Sequence, residues 1–544
     1  MAITSLPSFP HPACIEQRLK AKIICMSYAS AVESLYALGH ELAPQSATPV
    51  PGAPQTRARK WDLAHMRTLC QALGDPQHTF VSVLIAGTNG KGSTAATLAS
   101  ILSAAGLETA LYTSPHLVRP NERIQRSPAH GTLRPISDED FARCFDRVDE
   151  TAQTLVREGK LPHMPSFFEV MTSIAFLHFA ESGAQIAVLE AGLGGRLDAT
   201  NIVEPTLSIL TDISLDHTEW LGHTIAEIAR EKAGILRPNG VLITLPQHPE
   251  ANQAIGEAAV ALGVRAINAA QYMPQSYAPC GVDGPALQEP HGFSRAIQTD
   301  QEGALAPEVP GETSEEARTI PAAIMQSFRN RYTIAIDGEP AEIDSPLAGQ
   351  HQQRNIALAI AAAVELRNMQ AGGQAAVAGL TIGAIQAGVR NTHWPGRLEL
   401  LPISQGRFVL LDVAHNPAGA WTLRSALSSL PEDRPRTLLF SCLRDKAIAE
   451  IAQILAPLFD RPQDHAVVCP VNNPRSASAE ELFAAVERFT PTEAAVDASA
   501  ALARALELTP PGGILVATGS LYLIGDIRNL LITGADAAKK VGNG

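Results

Sequence analysis

The chain has 544 residues, 45% hydrophobic and 18% charged, which is ample apolar material for more than one core. Its 42 lysines and arginines against 55 aspartates and glutamates give a net charge of −13, the wrong sign for a protein that binds nucleic acid by displacing counterions. No apolar run reaches the roughly 18–20 residues of a membrane span, and seven scattered cysteines with no C-x-x-C pair speak against a disulfide framework or a zinc site.

Residues 1–26 read as a disordered leader, with Met26 a candidate initiator. Ala, Val, Leu and Tyr recur at helical spacing over 27–42. Pro44, Pro49, Pro51 and Pro54 then mark a loop or insertion. Trp61–Leu73 is amphipathic and ends at the turn signal Gly74-Asp75-Pro76. An alternating βα rhythm starts at Phe80–Ala86, a β-branched run. It is interrupted by Gly87–Ser93 and followed by the alanine-rich helix Thr94–Ala105. Further apolar runs are Ile186–Leu189, Thr206–Leu210 and Gly240–Leu245, with helices such as Phe167–Phe179 and Ile225–Ile235 between them. Strands alternating with helices predict a mostly parallel sheet covered on both faces. Residues 272–325 break the rhythm and read as a surface insertion. Tyr332–Ile336 and Ala341–Ile343 flank Asp337-Gly338, a hairpin signal, and Arg354–Leu366 is a strong helix. After Pro395-Gly396 the alternation resumes in strands Arg397–Leu401, Phe408–Val413, Thr437–Ser441, Ala466–Val471 and Ile514–Ala517. The expected organisation is a larger α/β domain over 27–395, a smaller α/β domain over 396–535, and a polar tail over 536–544.

Gly87-Thr88-Asn89-Gly90-Lys91-Gly92-Ser93 ends a strand and opens a helix. The first amides of a helix lack backbone partners and its dipole is positive there, so the site suits phosphate. Gly87, Gly90 and Gly92 allow close approach, Lys91 reaches terminal phosphates, and Ser93 can ligate Mg²⁺. The spacing departs from G-x-x-x-x-G-K-[ST], because Gly92 separates Lys91 from Ser93. Glu190 closes a strand in the place of a metal-holding acid, and His217 follows another strand. Lys232, read alone, is a surface lysine.

With these motifs the chain resembles the folylpolyglutamate synthases and bifunctional dihydrofolate synthases of the Mur ligase superfamily. The resemblance rests on GTNGKGS at 87–93 and Thr113-Ser114-Pro115-His116-Leu117 with Asn121-Glu122-Arg123-Ile124. It continues through Ser166-Phe167-Phe168-Glu169 and Leu189-Glu190-Ala191-Gly192-Leu193-Gly194-Gly195-Arg196-Leu197-Asp198-Ala199-Thr200-Asn201. Asp216-His217-Thr218 and Glu231-Lys232-Ala233-Gly234-Ile235 follow. Gly349-Gln350-His351 with Asn355, Gly396-Arg397-Leu398-Glu399, Asp412-Val413-Ala414-His415-Asn416-Pro417 and Gly519-Ser520-Leu521-Tyr522 complete it. It covers roughly 27–265 and 330–530. Val413 stands where the family usually has glycine, so a local backbone adjustment is expected.

The resemblance implies a P-loop ATPase domain joined to a Rossmann-like C-terminal domain. It implies that Lys91 and the loop Gly87–Ser93 contact ATP phosphates, and that Ser93, Glu190 and His217 hold Mg²⁺. Lys232 would be carbamylated and help hold a second Mg²⁺. Asn355 and Asp412 would meet the nucleoside, Arg397 the phosphates, and His415 the transferring phosphoryl group. Asp198 and the loop Thr113, Ser114, Pro115, His116 would face the pterin, and Ser520 would help place glutamate. The reaction implied is ligation of L-glutamate to 7,8-dihydropteroate or tetrahydrofolate through an acyl phosphate, by a cytoplasmic monomer with no nucleic-acid or membrane partner. A UDP-muramyl peptide ligase and a non-catalytic ATP-binding relative are the alternatives.

Overall fold

The computed structural model describes residues 26–39, 62–274, 328–371, 379–403, 406–428, 430 and 434–541. The leader up to Cys25, the proline-rich segment at 44–54, and the insertion from residue 275 onward lie outside them. The first sheet comprises β1 (Val81–Ala86), β2 (Thr109–Tyr112), β3 (Ile124–Ser127), β4 (Arg134–Pro135), β5 (Ile186–Glu190), β6 (Leu207–Leu210), β7 (Val241–Thr244) and β8 (Arg265–Asn268). Its spatial order is β4-β3-β2-β5-β1-β6-β7-β8. Six strands run parallel; β3 and β4 extend one edge antiparallel. β1 is central and apolar on both faces, as a strand under helices on both sides must be.

Helices α1 (Tyr28–Ala37), α2 (Leu63–Ala72), α4 (Asp138–Arg157), α5 (Phe167–Glu181), α6 (Ile225–Ala233) and α7 (Pro249–Leu262) build the core on one face. On the other face lie α3 (Lys91–Ala104), α8 (Gln350–Ala371), α9 (Ile382–Arg390) and the hairpin β9 (Asn330–Ile336)–β10 (Glu339–Ser345). Asp337 and Gly338 both take positive φ (54° and 85°), as a tight hairpin turn requires.

The second sheet is built from β11 (Glu399–Pro402), β12 (Phe408–Leu411), β13 (Arg436–Phe440), β14 (His465–Val468), β15 (Thr492–Ala494) and β16 (Ile514–Thr518). Its order is β11-β12-β16-β13-β14-β15, parallel except for β11. Helices α10 (Pro417–Ser428), α11 (Ile448–Leu455) and α12 (Ala479–Val486) pack on one face. Helices α13 (Ala498–Leu508) and α14 (Leu521–Val541) cover the other. The expected α/β architecture is therefore present. Differences are local: α1 ends at Ala37, α3 begins at Lys91 itself, and α14 runs through residues read as a polar tail.

Helix α3, which follows the loop after β1, is held from behind by α9. A β-carbon on Gly388 would lie 2.3 Å from the Ile101 Cα, so the two helix backbones touch there. Ser100 Oγ donates to the Gly388 carbonyl at 2.7 Å. Gly388→Ala is expected to force α9 off α3 and cost about 1–3 kcal/mol, measured by urea unfolding; an unchanged midpoint would contradict this packing.

Candidate functional site

The carboxyl ends of β5, β1 and β6 lie side by side, and the loops leaving them form the floor of the site. Thr88 and Asn89 N–H donate to the Asp212 carbonyl at 2.8 and 3.2 Å, pinning the loop after β1 to the end of β6. Gly90 sits at φ 87°, and a β-carbon there would lie 2.1 Å from Asn355 Oδ1. At Gly92 it would meet Trp394 at 2.6 Å and Glu190 Oε2 at 3.3 Å. The loop is thus walled by Asn355, Trp394 and Glu190, with no room for a side chain. Helix α3 has no side chain capping its N-terminus, so its first amides are available to an anion.

Two ammonium groups converge on this loop. Lys91 Nζ donates to the carbonyls of Gly87 (3.1 Å) and Thr88 (3.2 Å). Lys232 Nζ donates to the same Gly87 carbonyl at 2.6 Å. Lys232 is 4% exposed. Burial, reinforced by the charge of Lys91, pulls its pKa down to about 7. It is therefore no surface lysine.

Glu190 is 4% exposed. The hydrogen bond recorded to its carboxylate is from the Ser114 backbone N–H to Oε2, at 3.1 Å. Burial raises its pKa to about 7 although Lys91 and Arg397 oppose the shift. A buried carboxylate with so little compensation fits a bound cation, which would restore the charged form. His217 follows β6 in a left-handed conformation (φ 48°), with Nε2 3.6 Å from Asp216 Oδ2. Burial lowers its pKa, so its imidazole is a neutral, metal-competent ligand. Ser93 is buried in the first turn of α3.

The second sheet faces this floor. Arg397 stands within electrostatic reach of both Asp412 and Glu190; burial lowers its pKa and the two acids offset that. Asp412 accepts the amides of Leu398 and Ala414, each at 3.0 Å, so it also builds the loop that carries Arg397. Val413 is not among the positive-φ residues, so valine fits without strain. His415 Nδ1 lies 2.8 Å from the Val413 carbonyl, which can only accept. Burial holds the imidazole down to about 4. His415 is therefore neutral, with its proton on Nδ1 and a lone pair on Nε2. Asn355 Nδ2 donates to Gln352 Oε1 at 2.9 Å while its Oδ1 lies over Gly90. Ser520 is 2% exposed, and its Oγ, with those of Ser441 and Thr518 Oγ1, is buried without a hydrogen-bond partner.

The loop after β2 forms a third wall. Ser114-Pro115 is a cis peptide. Arg123 Nε donates to His116 Nδ1 at 2.8 Å, and His116 Nε2 meets the Tyr36 hydroxyl at 3.1 Å. Glu122 accepts the amides of Leu117, Val118 and Arg119. Asp198 accepts from the amides of Gly192, Leu193 and Thr200 and from the Thr200 hydroxyl. Its carboxylate shapes the loop after β5 as well as flanking Ser114 and Phe168 beside Gly192.

Residues 396–521 match the family model for the Mur ligase glutamate ligase domain. The chain is 31% identical over 471 residues to the dihydrofolate synthase/folylpolyglutamate synthase of Bacillus subtilis, covering 86% of this chain and 94% of that one. It is 30% identical over 478 residues to the folylpolyglutamate synthase of Lacticaseibacillus casei, covering 88% and 96%. The chain belongs to the folylpolyglutamate synthase/dihydrofolate synthase family. Its structure matches the Mycobacterium tuberculosis folylpolyglutamate synthase complexed with ADP and AMPPCP at a TM-score of 0.67 and 29% identity, covering 86% of this chain and 95% of that one. Members of the family are ATP-dependent ligases, and this chain is one.

Two residues of this synthase carry more than sequence reading assigned them. Ser114, read as a substrate contact, gives its amide to Glu190. Lys446, in the turn after β13, places Nζ 3.9 Å from Asp216 Oδ1 and bears on both His217 and His415. Nothing in its local sequence distinguishes it from a surface lysine. Gly90→Ala should drive the loop off Asn355 and weaken ATP binding at least about tenfold, measured by calorimetry. Unchanged affinity would mean that the loop does not hold the nucleotide.

Proposed function

We propose that this ligase joins L-glutamate to a pterin carboxylic acid, either 7,8-dihydropteroate or tetrahydrofolate, by way of an acyl phosphate. The observation that carries the reading is the approach of Arg397 from one half to Glu190 at the phosphate loop of the other. That arrangement puts positive charge on both sides of a transferring phosphoryl group. A carboxylate resists an amine because oxide is a poor leaving group. Its oxygen therefore attacks the γ-phosphate of ATP, giving an acyl phosphate and ADP. The glutamate amine then attacks the acyl carbon, and phosphate leaves from a tetrahedral intermediate.

Lys91 and Arg397 neutralise charge on the phosphoryl group. The neutral His415, with its lone pair on Nε2, can accept a hydrogen bond from the attacking amine and brings no positive charge to the phosphoryl group. Lys446 and the unpartnered hydroxyls of Ser441, Thr518 and Ser520 suit the carboxylates of glutamate. Asn355 and Asp412 flank the nucleoside. Glu190, His217, Ser93 and the Ser114 loop would hold Mg²⁺, which supplies Lewis-acid stabilisation of phosphate charge when bound. The amine of Lys232, with a pKa of about 7, is about half neutral at pH 7, and the neutral form is the one that reacts with carbon dioxide. As a carbamate it would offer oxygens to a second Mg²⁺. A single chain carries every group named, so a monomer suffices.

Closure of the two halves on each other would keep water from the acyl phosphate and complete the site. Arg397→Ala should therefore reduce glutamate incorporation by about 10²–10³-fold. The test offers the enzyme ATP, Mg²⁺, L-glutamate and either acceptor, and counts labelled glutamate. Incorporation with neither acceptor would overturn the reading, and turnover of a UDP-muramyl substrate instead would favour the peptide-ligase alternative. Protein equilibrated with ¹³C-bicarbonate should show a carbamate carbon that is lost in Lys232→Gln. The signal should grow from about pH 6 to about pH 8 as the amine deprotonates; a spectrum without it would exclude carbamylation.

A further inference from the structure

Beneath the Ser114–Asp198 wall lies a histidine that the mechanism does not use. His65, on α2, points Nδ1 at Glu169 Oε1 (2.9 Å) and Nε2 at the His163 carbonyl (3.1 Å). Its side chain is 10% exposed and that of Glu169 18%. Glu169 is the third residue of α5. Its Oε2 accepts the Ser166 N–H at 2.8 Å and the Ser166 hydroxyl at 2.7 Å, closing a capping box on the helix N-terminus. One carboxylate thus caps α5 with one oxygen and holds His65 with the other.

Hydrogen-bond arithmetic sets the charge of the ring. A carbonyl oxygen can only accept, and so can an ionised carboxylate. Burial alone would raise the Glu169 carboxyl, but the bonds from His65 and Ser166 outweigh it and hold the group below the ordinary carboxylate range. Both ring nitrogens therefore face acceptors, and a neutral imidazole has one N–H. Two bonds at these distances call for the imidazolium.

The first turn of α5 carries two rings of the candidate acceptor pocket. Phe168 Cε1 lies 3.2 Å from where a Gly192 β-carbon would stand, beside Ser114 Oγ and Asp198 Oδ2. Phe167 stacks on Tyr36 (5.8 Å) and lies under the Arg123 guanidinium (5.2 Å). We propose that His65 is a positioning residue for the acceptor: its imidazolium ties the loop at His163 to the first turn of α5 and so sets Phe167 and Phe168 in the pocket wall. The inference rests on reading that pocket as the pterin site. Among the described residues, the titratable groups facing His65 from other elements include Glu169 and the His163 ring, whose centroid is 4.4 Å away and whose Nδ1 lies 3.0 Å from the Met164 carbonyl. On its own helix, Asp62 caps the first turn through the Ala64 amide. Loss of one proton from His65 breaks one of the two bonds, so the wall loosens as pH rises.

The test compares the full-length enzyme with His65→Arg and His65→Gln across roughly pH 6–9. In the native enzyme the KM for dihydropteroate should rise roughly threefold to tenfold as His65 deprotonates, with kcat shifted in parallel in all three proteins. Arg at this position keeps a cation at every pH and should flatten the KM rise. Gln should show the high KM throughout. Superimposable KM profiles for the native enzyme and His65→Arg would overturn the inference. Histidine-selective ¹⁵N spectra, with the His65 signals identified by their loss in His65→Gln, decide it without turnover. Two protonated ring nitrogens at neutral pH support the clamp, and a single N–H would overturn it. If neither acceptor is turned over, the proposed function fails, while the spectra still settle the charge of His65.

Discussion

Two lysines share one carbonyl oxygen, that of Gly87, and the rest of the site answers to that crowding. Bringing Lys91 and Lys232 together in a buried place is costly unless negative charge is near or one amine gives up its proton. Both remedies are present. Lys232 is driven to a pKa of about 7, and Glu190 stands at the end of the neighbouring strand. The same low-dielectric setting that makes the cluster costly when empty of anions makes it effective around a phosphoryl group, where each charge acts with little screening.

The architecture supplies the crowding. In the order β5-β1-β6, three loops leave the sheet side by side, and the central one is walled so closely that glycine is required at Gly90 and Gly92. The opposite wall comes from the second sheet, whose loops after β12, β13 and β16 bring His415, Lys446 and Ser520 toward the first. Asp216 shows how far the two halves are merged. Its carboxyl is desolvated, yet the ammonium groups of Lys91 from one half and Lys446 from the other help hold its pKa below the ordinary carboxylate range. Neither half alone encloses the loop at 87–93, and under the proposed mechanism their meeting would protect an activated acyl group until the amine is in place.

Much of this was legible in the chain itself. The β-branched run ending at Ala86, with glycines and a lysine beyond it, marked the phosphate loop because strand, turn and helix each have a local signature. Glu190 was legible as a candidate because it closes an apolar strand, and His217 because it follows one. What stayed hidden depends on contacts distant in sequence. The four-residue β2 has too little pattern to separate from the helix before it. The bond from Ser114 to Glu190 joins residues 76 apart, and Lys446 gains meaning from Asp216 across the cleft. Asp198, read as a substrate contact, is also the hub of its own loop, a role set by turn geometry that composition does not reveal. His65 looks like an ordinary residue on an amphipathic helix until Glu169 and His163 are set on either side of it.

The central claim is that a carboxylate is activated by direct phosphoryl transfer inside this shared site. Acceptor labelled with ¹⁸O in its carboxylate, incubated with enzyme, ATP, Mg²⁺ and L-glutamate, tests it most directly through mass analysis of the phosphate released. Attack of the carboxylate oxygen on the γ-phosphate requires one labelled oxygen to appear in phosphate for each amide formed. Amide formation with unlabelled phosphate would contradict the account.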